Sequence, residues 1–459
     1  MVNFSSMKKI PITLLFLPLV SLAQTGDEAT IKKFSDEILR NGKAYELLRQ
    51  LTKDVGGRLS GSPQFAKAVQ WGKVAMEQNG ADKVYLQECM IPHWVRGGQD
   101  KASLTEINKK KTSRKLDVLA LGNSLGSGTV TGDLLAVANF DELEKRKDEV
   151  KGKIVYYNNG FNPTNIKPFV SYGESGIYRR LGASRAAKYG AIGVMIRSLT
   201  ESSANDPHTG GMAYIDSFPR IPAIAVGPRD ADEVWRMSKT SSMKLSMTTN
   251  GHFLPDTIGH NVIAELTGTE FPDQIITVGG HLDSWDVNEG AHDDGTGVVH
   301  TIEIMRAMKA IGYQPRHTIR FVLFANEENG LRGGTKYAEE AKAKGEKHVF
   351  ALESDAGGFT PRGFSIQANK EQLEKLRSWI PLLSPYGTFE ITGDGGGADI
   401  GPLNRTFGTP VGELMPDPQR YFDLHHARSD VFENVNKREL LLGAVNMAAL
   451  IYLVDKYGL

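Results

Sequence analysis

Residues 275–284 read Ile-Ile-Thr-Val-Gly-Gly-His-Leu-Asp-Ser and are the most informative part of the sequence for the fold. Its first residues are almost all apolar, and His281 and Asp283 follow at once. Continuous apolar runs are typical of strands that are buried on both faces of a sheet. In open α/β sheets, functional side chains lie at the carboxyl ends of the strands. The stretch therefore predicts a buried strand of an α/β sheet, with His281 and Asp283 at its functional rim.

The sequence around this stretch alternates between strands and helices. Apolar strands are predicted at 262–266, 318–324 and 349–354, and helices at 297–311 and 332–344. Strands that alternate with amphipathic helices give the βαβ rhythm of a sheet that is covered on both faces. This part of the chain is therefore predicted to be an α/β domain.

Two segments before the sheet have different patterns. Early acidic residues and apolar residues at helical spacing predict a helix over 28–54. Glycines within 122–128 then open a run of short strands. We predict that residues 123–252 form an inserted domain with a core of its own. Residues 24–122 and 253–459 would together form the α/β domain.

The first residues have the form of a signal peptide. Lys8 and Lys9 precede an apolar stretch at 10–23 that closes on Ser-Leu-Ala. This stretch is too short to cross about 30 Å of hydrocarbon as a helix. We predict that residues 1–23 are removed and that the protein is exported, to the periplasm or the medium; the alternative is a buried N-terminal helix. Because we find no second long apolar run, we expect no membrane association after cleavage.

The composition excludes several other classes of protein. Hydrophobic residues make up 40% of the chain and charged residues 24%, which are ordinary globular values. The 54 basic and 54 acidic residues give a formal net charge of zero, so no electrostatic argument favours nucleic acid as a partner. Cys89 is alone and cannot form a disulfide within the chain. It lies in an alternating, strand-like stretch, which argues against a catalytic thiol.

Further imidazole and carboxylate groups follow other predicted strands or lie in loops. They are Asp293-Asp294 in a glycine-flanked loop, Glu327-Glu328, Glu353 with Asp355, and His425-His426. A Glu-Glu pair is usually a solvated surface feature. Glu327 and Glu328, however, come almost directly after an apolar strand, where packing gives no reason for charge.

Such a collection of side chains favours metal ions. Crowded carboxylates repel one another and are costly to bury, and divalent cations remove both costs. Imidazole and carboxylate together are a typical zinc ligand set. Two imidazoles and three carboxylates are too many for one tetrahedral zinc with an open position, but they suit two zinc ions that share a bridging carboxylate.

The ordered motifs resemble those of the co-catalytic di-zinc exopeptidases, the family of aminopeptidase Y and the bacterial leucyl aminopeptidases. Within that family they are similar to the carboxypeptidase Q group. The stretches that carry this likeness are 280–287, 57–62, 94–97, 196–198 and 207–210, and they are spread over nearly all of the chain after residue 23.

The resemblance also implies an architecture. The family has a three-layer α/β/α zinc exopeptidase fold with a mixed, mostly parallel central sheet. The segment 123–252 resembles a β-rich protease-associated domain, with 152–155, 190–193 and 221–223 as its marks. A homodimer is expected from the same likeness.

The resemblance implies two zinc ions per chain and a ligand set for them. The ligands are a bridging Asp293, His281 and Asp355 at one ion, and Glu328 and His426 at the other.

Two catalytic roles follow from the same likeness. Glu327 would be the general base. Asp283 would orient the imidazole of His281. His426 is preferred to its neighbour His425 because it has the family's His-x-x-x-Asp spacing. Asp294 is expected to support the loop or to cap the next helix.

The substrate contacts are expected near these motifs. Asp399, Arg428 and His425 are the candidates. The resemblance implies hydrolysis of dipeptides or short peptides that have free termini. The alternatives are an aminopeptidase on longer peptides, a di-zinc amidase or deacylase of N-acyl amino acids, and a receptor-like protein without catalysis. The last is disfavoured because none of the five ligands is missing.

Overall fold

The computed structural model describes residues 20–107 and 113–459, with side chains from Gly26 onward. The predicted signal peptide lies outside the described residues up to position 19. The helices are α1 Val20–Asn41, α2 Ala44–Gln50, α3 Pro63–Gln78, α4 Phe140–Lys145, α5 Pro168–Ala187, α6 Pro228–Ser238, α7 Thr296–Ala310, α8 Arg332–Lys344, α9 Lys370–Ser378, α10 Ile380–Leu383, α11 Gly401–Phe407, α12 Tyr421–Leu424 and α13 Lys437–Tyr457.

The strands divide between two sheets. They are β1 Lys83–Val95, β2 Lys101–Glu106, β3 Ser113–Leu116, β4 Val118–Ala120, β5 Gly128–Val137, β6 Ile154–Tyr157, β7 Gly193–Arg197, β8 Ala223–Val226, β9 Met243–Thr249, β10 His252–Leu266, β11 Phe271–His281, β12 His317–Phe324, β13 Lys347–Glu353, β14 Pro361–Gln367, β15 Glu390–Thr392 and β16 Val411–Pro416.

The first sheet has the strand order β1-β10-β12-β11-β13-β16-β14-β15. Its centre, β12-β11-β13-β16, is parallel, and the pairs β1–β10, β10–β12 and β14–β16 are antiparallel. Every residue of β12 is buried, as a strand covered on both faces requires. Helices α1, α2, α3, α7 and α13 pack on one face, and α8 and α11 on the other. The predicted three-layer α/β/α fold with a mixed, mostly parallel sheet is confirmed.

The second sheet has the order β3-β2-β9-β5-β6-β7-β8-β4 and its own apolar clusters on both faces. It begins at Lys101, so it includes strands that the sequence assigned to the segment before 123. The turn that separates the sheets lies at Gly97 and Gly98, whose φ angles of 73° and 138° favour glycine. The predicted boundary was placed at 123 because several glycines occur within 122–128, whereas the turn at 97–98 has only two. At the other end, β9 stops at Thr249, close to the predicted limit.

The predicted helix over 28–54 is divided. Helix α1 ends at Asn41, and a side chain at Gly42 would collide with the carbonyl oxygen of Ile38. The buried carboxylate of Glu303 then accepts hydrogen bonds from the backbone N–H groups of Lys43 and Ala44, at 2.8 and 3.1 Å. A distant side chain therefore caps α2, which a reading of local periodicity cannot detect.

Helix α13 is a second long apolar run, so the expectation that the chain has none is wrong. In the described part of the chain, α13 alone is long and apolar enough to cross a membrane by length and composition. In the structure, 83% of its most apolar window is buried, where it packs against α1, α7 and the sheet.

Candidate active site

Neighbouring strand ends bring the predicted site residues together. In the parallel register, His281 at the end of β11 lies opposite Phe324 at the end of β12. Gly279 lies opposite Glu353, the last residue of β13. Asp355 and the Glu327-Glu328 pair follow these two neighbouring strands, so the register delivers them to the same edge of the sheet.

The half of the site around His281 is built on β11 and β13. The Nε2 atom of His281 lies 3.2 Å from Asp293 Oδ1 and 3.2 Å from Asp355 Oδ1. Its other ring nitrogen, Nδ1, lies 3.0 Å from the backbone carbonyl oxygen of Asp283. The ligand atoms of His281, Asp293 and Asp355 lie within 4.8 Å of one another, which is close enough to hold one cation.

The half around His426 follows α12. The Nε2 atom of His426 lies 3.2 Å from Asp293 Oδ2 and 3.2 Å from Glu328 Oε2. His426 adopts a left-handed φ of 63°, and the backbone N–H of Thr209 donates to its carbonyl oxygen at 3.0 Å. Its Nδ1 atom faces the guanidinium of Arg179, at 3.3 Å. Asp293 therefore lies between two sets, each made of one imidazole and one carboxylate.

The donor atoms fit two cations that share Asp293. Glu328 Oε1 is buried and has no hydrogen-bond partner among the described residues. Burial works against ionisation, but hydrogen bonds from His281 and His426 hold the pKa of Asp293 well below its usual range. Burial and the charge of Asp293 raise the pKa of Glu328 well above its usual range. Cations between these oxygens would remove the repulsion that raises it.

The carboxylate of Asp283 does not hold the imidazole of His281 as predicted. Its Oδ1 lies 3.8 Å from His281 Nδ1, beyond hydrogen-bond distance, and the residue's backbone carbonyl makes that contact. The carboxylate instead accepts hydrogen bonds from the backbone N–H of Glu327 and the hydroxyl of Ser60, both at 3.0 Å. Asp283 thus positions the Glu327 backbone with its side chain and His281 with its main chain.

Glu327 lines the cleft beside the two sets of donors. Burial raises its pKa to about 8, and the charges of Asp355 and Asp293 act in the same direction. A carboxyl group that titrates near neutral pH suits proton transfer at that pH. The charge of nearby cations would favour its ionised form.

The loop that carries Asp293 is held by groups on three other segments. Asp294 Oδ2 accepts from the backbone N–H of His281, and its Oδ1 caps α7 through Gly297, both at 2.9 Å, as the sequence predicts. Asp430 accepts from the backbone N–H of Asp293 at 3.1 Å. Burial raises the pKa of Asp430 to about 7.

Arg58 is a structural group of this site that the sequence reading did not identify. It is completely buried, and its guanidinium donates to the carbonyl oxygens of Leu282, Glu289 and Gly290 at 2.5, 2.7 and 3.0 Å. Arg58 therefore fixes both ends of the segment between the two ligand loops. The motif at 57–62 was the available signal, although its sequence alone gives no partner for the arginine.

A cleft of about 590 Å³ lies over these residues, between the two sheets. Glu327, Asp355 and Glu413 form its floor on the α/β side. Helix α5 of the second sheet supplies Tyr172, Arg179 and Arg180 to the opposite wall. The inserted segment therefore shapes the site directly, which sequence spacing could not indicate.

The three candidate substrate contacts have different locations. His425 lines the cleft, stacked on His426 with ring centroids 3.5 Å apart. Asp399 is fully buried, and neither carboxylate oxygen has a hydrogen-bond partner among the described residues. Arg428 is not a cleft residue: it points away and pairs with Asp117 at 2.9 Å. Proximity in sequence to His426 therefore gave the wrong location for Arg428.

Comparison with known proteins gives concordant matches. The model of peptidase family M28 matches residues 261–451. Carboxypeptidase Q of Mus musculus is 34% identical over 415 residues, which cover 90% of this chain and 85% of that protein. Carboxypeptidase Q of Xenopus laevis is 35% identical over 393 residues, which cover 84% and 80%.

Solved structures show the same architecture. A peptidase M28 precursor from Shewanella amazonensis superposes with a TM-score of 0.88 at 29% identity, covering 94% of this chain and 97% of that one. A zinc aminopeptidase from Bacillus subtilis superposes with a TM-score of 0.63 at 19% identity, covering 91% and 95%. The second likeness concerns the fold alone.

Proposed function

The chain belongs to peptidase family M28, in the carboxypeptidase Q group, and from this premise we propose that it hydrolyses dipeptides or short peptides with free termini. The protein is a zinc-dependent metallopeptidase of the exopeptidase type. The number of ions and the choice of substrate are the parts that we propose here.

One observation carries the proposal of two zinc ions per chain. Asp293 lies 3.2 Å from the Nε2 atoms of both His281 and His426, and each imidazole has a further carboxylate at the same distance. Zinc bound to such ligands lowers the pKa of water and polarises a carbonyl group. The proposed ligands are Asp293 for both ions, with His281 and Asp355 on one side and Glu328 and His426 on the other.

Glu327 is proposed to move the proton. Its carboxylate takes a proton from the attacking water and then delivers it to the nitrogen of the leaving amine. The hydrogen bond from its backbone N–H to Asp283 Oδ1, at 3.0 Å, fixes the start of its side chain beside the cleft. No thiol competes for this role in the described chain, because burial raises the pKa of Cys89 to about 12.

The charges around the cleft support recognition of both peptide termini. Arg179 and Arg180 line one wall. Guanidinium groups bind carboxylates through paired hydrogen bonds, so this wall suits the C-terminus of a short substrate. Glu413 lies on the acidic floor, which suits a free amino group.

A matched substrate panel tests this proposal. The same dipeptide would be offered unmodified, as its C-terminal amide and with an acetylated N-terminus, at equal zinc. We expect the unmodified dipeptide to be cleaved with the highest kcat/KM. Equal rates on the amide and on longer peptides would indicate an aminopeptidase, and preference for the acetylated compound would indicate an amidase or deacylase. Either result would contradict the proposed specificity.

Export and dimerisation stay predictions. N-terminal sequencing of protein recovered outside the cytoplasm would show Gln24 as the first residue if residues 1–23 are removed. Light scattering during size-exclusion chromatography would give twice the chain mass if the protein is a homodimer. The assignment of the inserted segment as a protease-associated domain is likewise a prediction.

A further inference from the structure

We infer that Arg179 makes the half of the centre around His426 the weaker of the two metal sites. This inference rests on the proposed two-ion centre and adds to it a difference in affinity between its halves. The difference comes from the outer nitrogen of each imidazole, the one that points away from Asp293.

The two outer nitrogens have opposite kinds of partner. His281 Nδ1 lies 3.0 Å from the carbonyl oxygen of Asp283, which can only accept a hydrogen bond. His426 Nδ1 lies 3.3 Å from Arg179 Nη1, which can only donate one. A metal-bound histidine normally donates its outer N–H to an oxygen, which fixes the tautomer and makes the inner nitrogen a better ligand.

The arginine contact has a cost for metal binding in either tautomer. If Arg179 donates to Nδ1 of neutral His426, the ring hydrogen lies on Nε2, the atom that must face the ion. If Nε2 is instead free to bind, two N–H donors face each other at Nδ1. The positive charge of Arg179 also repels a divalent cation, and the burial of His426 weakens screening of that repulsion by water.

The structure holds Arg179 in this place. Its Nη2 donates to the hydroxyl of Tyr172 at 2.5 Å, and the guanidinium lies 5.1 Å from the centre of the same ring. Gly210 allows the approach, because a Cβ atom there would lie 2.5 Å from His426 Nδ1 and 2.6 Å from Arg179 Nη1. Its φ of 129° is one that residues with side chains rarely adopt.

Arg179 and His426 come from different parts of the molecule. Arg179 and Tyr172 belong to α5, which packs on the second sheet, whereas His426 belongs to the α/β unit. Through the guanidinium of Arg179, the inserted segment thus contacts the metal centre and sets the affinity of one of its two ions. Arg179 is a positioning residue in this account, since it acts on the ion through His426.

Zinc titration of the metal-depleted protein tests the inference. Calorimetry with zinc against a competing chelator would resolve the ions bound and their dissociation constants. For the unmodified protein we expect two steps of unequal affinity. Arg179→Gln offers an oxygen to His426 Nδ1 and removes the charge, so the weaker dissociation constant should fall about 10-fold or more while the tighter one stays unchanged.

Three further variants make the test specific. Arg180→Gln removes the same charge from the next residue of the cleft wall and should leave both constants unchanged. Arg179→Lys keeps the positive charge, so the weaker dissociation constant should stay close to that of the unmodified protein. Tyr172→Phe removes the hydroxyl that holds Arg179 and should tighten the weaker step less than Arg179→Gln does. Circular dichroism before titration would identify any variant that fails to fold.

The outcomes separate this inference from the proposed function. A weaker step that is unchanged or further weakened in both Arg179→Gln and Tyr172→Phe would overturn the inference and leave the two-ion centre intact. A single zinc per chain in the unmodified protein would overturn the two-ion centre itself. If Arg179→Gln does not fold, Tyr172→Phe alone decides the direction of the effect.

Discussion

The two halves of the proposed metal centre offer the same kinds of ligand and differ in the partner of the outer imidazole nitrogen. Each half offers one imidazole and one carboxylate, and the two share Asp293. The Nδ1 atom of His281 contacts a carbonyl oxygen of its own loop, whereas the Nδ1 atom of His426 contacts an arginine of the inserted segment. In the proposed centre, the strand ends therefore bring the candidate ligand atoms together, and the inferred difference in affinity arises from packing between the two sheets.

The largest effect is expected at Glu327, which belongs to neither half of the centre. Glu327→Gln should lower kcat about 100- to 10,000-fold, because the amide cannot accept the proton of the attacking water. Both halves should keep their zinc, measured by atomic emission on the purified variant. Glu413→Gln, which changes an acid proposed to contact the substrate's amino group, is the comparison and should affect KM more than kcat. Near-normal turnover in Glu327→Gln would show that the base is another group.

Replacing His281 or His426 should leave one zinc in each variant, bound with different affinities. His426→Ala removes the half that we infer to be weaker, so the remaining zinc should bind with the tighter constant of the unmodified protein. His281→Ala should leave one zinc that binds more weakly. Titration of both variants measures this directly. The reverse order of affinities would contradict the comparison between the halves.

A smaller effect is expected at Asp283. Its side chain accepts a hydrogen bond from the backbone of Glu327, and its backbone carbonyl contacts His281. Asp283→Asn keeps the backbone carbonyl behind His281 and weakens the hydrogen bond from the Glu327 backbone. Loss of a hydrogen bond to a charged group costs about 1.5–3 kcal/mol, so kcat should fall roughly 10- to 100-fold with unchanged zinc content. Ser60→Ala, which removes the other partner of this carboxylate, should lose less. Loss of one zinc in Asp283→Asn would mean that the carboxylate does hold His281.

The smallest effect is expected on the wall that faces both halves. Arg180→Gln should raise KM for a free dipeptide about 10-fold, as expected for one exposed, charge-assisted hydrogen bond. KM for the corresponding amide should stay unchanged, because the amide has no carboxylate to lose. Steady-state kinetics on both substrates measures the ratio. Equal changes on both substrates would exclude Arg180 as the C-terminal contact.

The sequence predicted the His281 half better than the rest, for a physical reason. A buried parallel strand must be apolar, so the polar residues that follow it are conspicuous, as at His281 and Glu327. Parallel strands also end at the same edge, so these groups had to meet. The three-layer fold and the place of the Asp294 cap could be predicted on the same grounds.

Features that depend on contacts between distant segments could not be predicted. Nothing local places Arg179 beside His426 or Arg58 behind the ligand loops, since each contact joins two packed units. The limit of the second sheet was misplaced because its first strand, β2, pairs with β9, far along the chain. Arg428 was misplaced because its partner, Asp117, lies far along the chain, so proximity in sequence to His426 did not show which way its side chain points.

Anomalous diffraction at the zinc absorption edge would show whether the site holds two ions that share Asp293. Crystals of the purified protein, grown with zinc, should give two peaks per chain at this edge of the sheet. One should contact His281 and Asp355, the other Glu328 and His426, and Asp293 should contact both. A single peak, or two peaks that do not share Asp293, would contradict the account.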